Sequence, residues 1–180
     1  MKHKLFSGLT ALALSLTACG GGGGEGDIGL PIGGGTGGGS ASIRINFLTV
    51  EPSDLRNASY FTARWNVSYN SISGYTTEVY AYSSPTLSSS GASDYKITGM
   101  NCGSIYGTGC SADGYVSCTI SLNTFGQRVI SCKTPSGQNL PGRATFKVSG
   151  NGYIILKACV FDPLGAGTIC DQKATPVILP

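Results

Sequence analysis

The clearest pattern in the chain is a strict alternation of apolar and polar residues from Phe61 to Tyr69. The odd positions hold phenylalanine, alanine, tryptophan, valine and tyrosine, whereas the even positions hold threonine, arginine, asparagine and serine. A period of two places these two groups on opposite faces of a strand. The segment is therefore predicted to be a strand with one buried face, to which Trp65 contributes.

Similar alternation recurs at short intervals between turn residues, and no segment shows the period of an amphipathic helix. The first segment alternates from Ile43 to Phe47 and then changes phase at Leu48, which predicts a β-bulge or bend. The last segment contains Pro176, which has no backbone N–H to donate, and is predicted to lie at a sheet edge or a bend. Seven or eight short strands of this kind predict an all-β fold, a single antiparallel β-sandwich. The other predicted strands are at 75–82, 116–122, 144–148, 154–160 and 168–179.

The C-terminal part of the chain adds a family resemblance. Ala144–Gly150, Gly152–Ala158 with its leading Tyr153, and Gly165–Gly167 follow one another there. This order of a strand, a tight turn, a tyrosine-led strand and a glycine-containing hairpin is similar to the last three strands of a fibronectin type III or related immunoglobulin-like domain. Trp65 also stands where such domains often place a core tryptophan. The resemblance implies an immunoglobulin-like sandwich, from which the six cysteines and the long insertion at about 83–117 depart.

The first 18 residues have the organisation of a bacterial lipoprotein signal peptide. Lys2 and Lys4 are followed by a mostly apolar run, 5–16, which is shorter than the roughly 20 residues of a bilayer-spanning helix. The run ends in Leu16-Thr-Ala-Cys19, which resembles a lipobox. The resemblance implies that Cys19 is lipidated and anchors the mature chain to a membrane. The alternative is an ordinary secretory signal in which Cys19 is incidental.

Gly20, directly after Cys19, bears on the location of the protein. Its resemblance to the second residue of mature Gram-negative lipoproteins implies the outer membrane of the cell envelope, with the surface and the periplasmic face both open. In a Gram-positive cell the same signal would imply the outer face of the plasma membrane.

The glycine-rich stretch 19–40 follows, and it has too few apolar residues to offset the entropy of ordering its backbone. It is predicted to be a flexible linker between Cys19 and a β-sandwich domain at 41–180.

Six cysteines remain after Cys19, and an even number in an exported chain predicts three disulfides. Their spacing matches no zinc-binding pattern. A two-residue turn at Leu164 and Gly165 and a turn centred on Phe125 each place two cysteines opposite one another on antiparallel strands. The preferred pairs are therefore Cys159 with Cys170, Cys118 with Cys132 and, by remainder, Cys102 with Cys110. The open alternative pairs Cys110 with Cys118 and Cys102 with Cys132.

Charge and histidine content restrict the chemistry. His3, the only histidine, lies in the predicted signal peptide, so the mature chain lacks a histidine for a catalytic triad or a zinc site. Acidic and basic residues nearly balance, whereas a nucleic-acid-binding domain needs a clustered basic face. We expect no enzymatic activity, no metal, no cofactor and no nucleic-acid partner.

Tyrosine is concentrated in 69–115, which holds seven of the nine tyrosines among many serines and glycines. Antibody binding loops use this mixture, because tyrosine gives broad contact area and serine and glycine adapt to it. The loops 83–95 and 99–117 are the candidate contact surface. The alternative is that tyrosine serves there as a strand former. The candidate binding residues are Tyr82, Tyr95, Tyr106 and Tyr115.

These features predict a lipid-anchored, non-enzymatic binding protein with a protein or glycan partner, acting in surface adhesion or ligand capture. One alternative is a periplasm-facing structural accessory of a secretion or pilus assembly. Another is a carboxylate-based enzyme acting on cell-wall glycan. That enzyme needs two acids about 5 to 10 Å apart in one cleft, so strands that place Glu51 and Glu78 far apart would count against it.

Overall fold

The computed structural model describes residues 41–88, 92–141, 144–162 and 167–180. The predicted signal peptide, Cys19, the glycine-rich linker and the turn at Leu164 and Gly165 lie outside the described residues. Within the described ranges, no helix has both the length and the apolar character needed to cross a bilayer.

The described part of the chain forms nine β-strands and one short 3₁₀ helix, Ala92–Tyr95, between the third and fourth strands. The strands are β1 (Ser42–Glu51), β2 (Tyr60–Asn70), β3 (Tyr75–Tyr82), β4 (Lys96–Cys102), β5 (Asp113–Leu122), β6 (Arg128–Lys133), β7 (Ala144–Thr145), β8 (Gly150–Asp162) and β9 (Gly167–Leu179).

The strands form two antiparallel sheets. Sheet A has the order β1-β2-β5-β6-β7, and sheet B has the order β4-β3-β8-β9. One face of each sheet contributes to a common core, as in a β-sandwich. The predicted all-β antiparallel sandwich is therefore confirmed.

The core is built from the alternating residues that the sequence identified. Phe61, Trp65 and Val67 of β2 are at most 1% exposed, and Ile154 and Leu156 of β8 are fully buried. Each such side chain contributes about 1.5 to 3 kcal/mol when it leaves water. The strand predicted from Phe61 to Tyr69 is thus a central element of the sandwich.

The first strand contains the predicted bulge. Ile45 is paired with Val67, and Phe47 with the preceding residue of β2, so Asn46 is the extra residue. After the bulge Leu48 points into the core, whereas Phe47 is 44% exposed. This extra residue causes the change of phase in the sequence.

The edges of the two sheets meet along one side of the sandwich, where β1 and β9 are joined through side chains. Asp171 Oδ2 accepts a hydrogen bond of 2.7 Å from the backbone N–H of Ile45. Thr175 Oγ1 donates to the carbonyl oxygen of Leu48, also at 2.7 Å. β9 is an edge strand, as Pro176 predicted. We call this side the β1–β9 seam; β4 and β7 lie at the opposite edges.

Three disulfides staple the sandwich, with Cα–Cα distances of 4.0 to 4.8 Å. Two of them join directly opposed residues within the β5–β6 and β8–β9 hairpins, in the registers that the turns predicted. The third closes the loop between β4 and β5. The pairs are Cys118–Cys132, Cys159–Cys170 and Cys102–Cys110, the set that hairpin geometry favoured.

Two strand assignments differ from the sequence prediction. The segment 99–117 was expected to be a loop, but its first residues belong to β4 and its last residues belong to β5. The strand expected at 144–148 is only two residues long, Ala144–Thr145. In β4 the cause is a loss of strict alternation. Ile97 and Thr98 are both buried, beside an irregularity in the pairing of β4 with β3.

The outer face of sheet B is partly apolar and buried. Tyr80 and Ile155 are directly opposed on β3 and β8 and alternate with core residues, so they point away from the core. They are nevertheless only 4% and 0% exposed.

Candidate binding cleft

Tyr82 and Tyr95 lie together at the end of the sandwich where β3 ends. Their ring centroids are 4.8 Å apart in an edge-to-face arrangement. The Tyr82 hydroxyl also lies 3.0 Å from Ser88 Oγ. Both rings are half-buried, and much of their surface is used in contact with each other.

Tyr115 lies on the outer face of sheet A. The guanidinium carbon of Arg64 is 5.0 Å from the centre of its ring, within the range of a cation–π interaction. Its hydroxyl donates to the carbonyl oxygen of Pro135 at 3.4 Å. Tyr115 therefore belongs to a different surface from Tyr82 and Tyr95.

Tyr106 lines a sizeable cavity. It lies in the loop closed by Cys102–Cys110 and is 37% exposed. The four candidate tyrosines thus occupy three separate places. The structure brings Tyr82 and Tyr95 together, and it separates Tyr106 and Tyr115 from them.

The cavity beside Tyr106 is an open cleft of about 570 Å³ at the edge of sheet B formed by β4. β3 and β4 form its floor. One wall is the loop between Cys102 and Cys110, and the other is the segment 134–141 that follows β6. Most of its lining is polar, with Thr76, Glu78, Lys96, Asn101, Tyr106 and Asn139 among the residues involved.

Hydrogen bonds and the disulfide hold the first wall in place. The backbone N–H of Gly103 donates to the carbonyl oxygen of Cys110 at 2.8 Å, beside the disulfide. Thr108 Oγ1 donates to the carbonyl oxygen of Asn101 at 2.9 Å, and the Thr108 carbonyl accepts from the N–H of Ser136 at 3.1 Å. The wall is therefore connected to β4 and to the opposite wall before any ligand arrives.

Glu78 is the centre of a polar cluster on the floor. Its carboxylate accepts a hydrogen bond of 2.6 Å from Lys96 Nζ and one of 2.7 Å from the Tyr80 hydroxyl, while Lys157 Nζ is 3.8 Å away. Burial alone would raise the pKa of Glu78, but the hydrogen bonds from Lys96 and Tyr80 outweigh it and lower this pKa. Burial and the same hydrogen bond raise the pKa of Tyr80. Glu78 is therefore ionised at neutral pH.

Gly99 provides the room for this cluster. It lies opposite Glu78 in the β3–β4 pair. A Cβ atom at Gly99 would lie 2.8 Å from the carbonyl oxygen of Thr77 and 3.2 Å from Cε of Lys96. The missing side chain allows Lys96 to fold back along the strand and reach Glu78.

Sequence reasoning selected Tyr106 but missed the charged cluster. Glu78 was one of several scattered carboxylates, and Lys96 lies 18 residues away from it in the chain. The register of β3 against β4 brings them together, and β4 was not identified from the sequence. Glu78 alternates with buried Thr77 and Val79, and this was the only available signal that it points outward.

Glu51, Asp54 and Asp171 lie apart from Glu78 in the described part of the chain. Glu51 lies at the end of β1 in sheet A, whereas Glu78 lies in the middle of β3 in sheet B. Asp54 is bound by Arg56 at 2.6 Å, and this interaction lowers its pKa to about 2. Asp171 accepts the hydrogen bond from the Ile45 N–H at the β1–β9 seam. Over the described ranges, no three His, Cys, Asp or Glu residues form a group that could hold a metal ion.

A smaller groove lies on the outer face of sheet A. It has a volume of about 390 Å³ and is lined by residues of β2, β5 and β6, including Tyr60 and Lys133. Tyr60 is 61% exposed there. The disulfide Cys118–Cys132 is part of its lining, and Asn139 borders both this groove and the cleft.

The chain was compared with known proteins. No family model matches it, and no curated protein or solved structure matches it either. The interpretation of the cleft therefore rests on its own residues.

Proposed function

We propose that this protein is a membrane-anchored lipoprotein, held at the outer membrane of a bacterial envelope through Cys19. It presents a non-enzymatic binding domain, residues 41–180, on a glycine-rich linker. The lipobox-like sequence and the apolar run before it support the anchor. The disulfides support export, because such bonds persist in oxidising compartments.

The observation that carries the binding role is the cleft at the β4 edge with its disulfide-closed wall. Its volume is in the range of ligand sites, about 300 to 1,000 Å³. A wall fixed by Cys102–Cys110 and by backbone hydrogen bonds loses little entropy when a ligand binds, which favours affinity. The exposed ring of Tyr106 projects from that wall.

The electrostatics of the cleft favour binding over acid–base chemistry. A general acid or base works best with a pKa near the operating pH. The lowered pKa of Glu78 moves it away from that range, and its oxygens are engaged by Lys96 and Tyr80. Glu78 is thus suited to holding a fixed polar surface.

The anchor is tested by replacing Cys19 with serine and comparing the two proteins after detergent phase separation of cell membranes. We expect the native protein in the detergent phase and the Cys19→Ser variant in the aqueous phase. A native protein found in the aqueous phase would contradict lipid anchoring.

The orientation is tested by treating intact cells with protease, with and without permeabilisation. The glycine-rich linker is the expected cleavage site, because a disulfide-stapled domain resists digestion. Release of the domain from intact cells supports surface display, and with it adhesion or ligand capture. Release only after permeabilisation would place the domain in the periplasm and favour a role as an accessory of an envelope assembly.

A further inference from the structure

We propose that the cleft at the β4 edge binds a neutral oligosaccharide, with Tyr106 as the platform on which a sugar ring packs. This inference rests on the proposed binding function and specifies its ligand. Three properties of the cleft lead to it: its charge, its hydrogen-bonding groups and its exposed aromatic ring.

The charged side chains that line the cleft are paired with each other. They are Glu78 and Lys96, and they form an ion pair of 2.6 Å. The charges of the lining therefore cancel, which disfavours a strongly charged ligand. Lys157, which does not line the cleft, lies 3.8 Å from the same carboxylate and adds one positive charge beside the pair, so anionic oligosaccharides are the competing probes in the test.

The hydrogen-bonding groups of the cleft suit hydroxyls. Asn101 on the floor and Asn139 on a wall are exposed residues, and their side-chain amides make no hydrogen bond to other described residues. An amide offers a donor and an acceptor next to each other. Adjacent hydroxyls of a sugar offer the same combination, so each amide can pair with two of them.

Tyr106 supplies the apolar part of the contact. Its ring is 37% exposed and is held by a loop that the disulfide closes. The face of an aromatic ring is electron-rich, and it packs well against the polarised C–H groups on one face of a pyranose. Few other apolar side chains line the cleft, which disfavours a wholly hydrophobic ligand.

The shape of the cleft fits a chain better than a compact small molecule. The cleft is open along the strand edge, and it is not enclosed like a cofactor pocket. A linear oligosaccharide can pass along β4 with one ring over Tyr106 and its neighbours at the amides. A protein loop would instead bury a larger apolar surface than the cleft provides.

The experiment uses the unlipidated mature chain, with Cys19→Ser, and an array of neutral and anionic oligosaccharides, followed by isothermal titration with the best neutral probe. We expect binding to at least one neutral oligosaccharide that persists at high salt. Tyr106→Ala should weaken it about tenfold or more, since aromatic anchors dominate such contacts. Asn101→Ala should weaken it by a smaller factor, since Asn101 lines the cleft and not the groove on sheet A.

The matched control is Tyr60→Ala, because Tyr60 is also an exposed tyrosine but lies in the groove on sheet A. It should leave the affinity unchanged. Equal loss in Tyr60→Ala and Tyr106→Ala would overturn the assignment to the cleft. Binding to no oligosaccharide, or only to anionic ones at low salt, would overturn the proposed ligand class. Neither result affects the lipid-anchoring test, which has a separate readout, and circular dichroism of each variant verifies that it is folded.

Discussion

At the residue scale, Glu78 fixes the floor of the cleft, and its ionisation should control that floor. The folded-state pKa is lowered from its ordinary value of 4.5, so the stabilisation by the Lys96 and Tyr80 contacts is fully present above that pH. It is lost as the pH falls through the lowered folded-state value. We therefore expect carbon NMR titration of the Glu78 carboxyl to give a midpoint below 4.5.

The control for this titration is Lys96→Met, which removes the closest cation while keeping a side chain of similar length. Its Glu78 midpoint should move upward relative to the native protein, because the larger of the two favourable hydrogen bonds is gone. A native midpoint at or above 4.5 would contradict the assigned cluster.

Gly114 is a residue at which a single methyl group should be costly. A Cβ atom there would lie 2.6 Å from both Cys110 Sγ and Trp65 Nε1, in the buried core. Overpacking of this kind costs about 1 to 3 kcal/mol. We expect Gly114→Ala to lower the free energy of unfolding by that amount in urea denaturation. Ser117→Ala, at an exposed position of the same strand, is the control and should change it little.

The sequence indicated four tyrosines as candidate binding residues, but it could not show which of them lines a cleft. Composition is the same for a tyrosine in a cleft and for one that packs on a neighbour. Tyr115 is held under Arg64 and Tyr95 packs against Tyr82, and both contacts depend on strand register. Only the folded chain distinguishes these roles from that of Tyr106.

At the element scale, strands with regular alternation were predictable and irregular ones were not. β2 alternates without interruption, and β8 has Ile154, Leu156, Ala158 and Val160 at alternate positions, so the positions of both strands follow from the sequence. β4 contains Gly99 in its centre and two consecutive buried residues, so neither alternation nor strand propensity marks it. Since β4 forms the cleft edge, the candidate site was less predictable than the fold.

The three disulfides differ in access, which predicts the order in which they open. Cys170 is exposed and Cys159 half-buried, whereas both sulfurs of Cys118–Cys132 and of Cys102–Cys110 belong to buried residues. Thiol–disulfide exchange requires a reductant to reach a sulfur atom. Mild reduction of the native protein, followed by alkylation and peptide mass spectrometry, should label Cys159 and Cys170 first. Earlier labelling of Cys118 and Cys132 would show that access does not set the order.

Side-chain hydrogen bonds join β1 and β9 at the seam, because these two strands belong to different sheets and are not paired with each other. Asp171→Ala leaves the Ile45 N–H without its 2.7 Å acceptor, and an unsatisfied group of this kind costs about 1 to 3 kcal/mol. We expect a loss of that size in the free energy of unfolding, measured by chemical denaturation. Gln172→Ala, at the exposed neighbouring position, should have little effect. Equal losses in the two variants would rule out a specific role for the Asp171 hydrogen bond.

At the scale of the whole molecule, the first described strand and the cleft lie at opposite edges of the two sheets. The described chain begins at β1, beside β9 at the seam, whereas the cleft lies along β4, the opposite edge of sheet B. The start of β1 is at the same end of the strands as the loop closed by Cys102–Cys110, because Ser42 pairs with Asn70 and the turn to β3 packs against Cys102 at Gly74.

The sandwich class followed from the sequence because the alternation of period two and the turn residues between the strands agreed. The sequence did not predict which edges of the two sheets meet, because alternation does not specify how the sheets stack. The resemblance to fibronectin type III or immunoglobulin-like domains stays a prediction, as do the signal peptide, the lipid on Cys19 and the linker.

The domain boundary at residue 41 gives a prediction for the whole molecule. Within the described ranges, the hydrophobic core cluster lies between Ile45 and Leu179. The glycine-rich stretch before residue 41 has too few apolar residues to add to such a core. A chain that starts at Ala41 should therefore unfold within about 2 °C of the unlipidated mature chain. This difference is smaller than the one that a loss of about 1 kcal/mol in stability would cause. Differential scanning calorimetry of the two proteins checks this. A midpoint lower by about 4 °C or more in the shorter chain would contradict the boundary, since a loss of roughly 1 kcal/mol would then separate the two proteins.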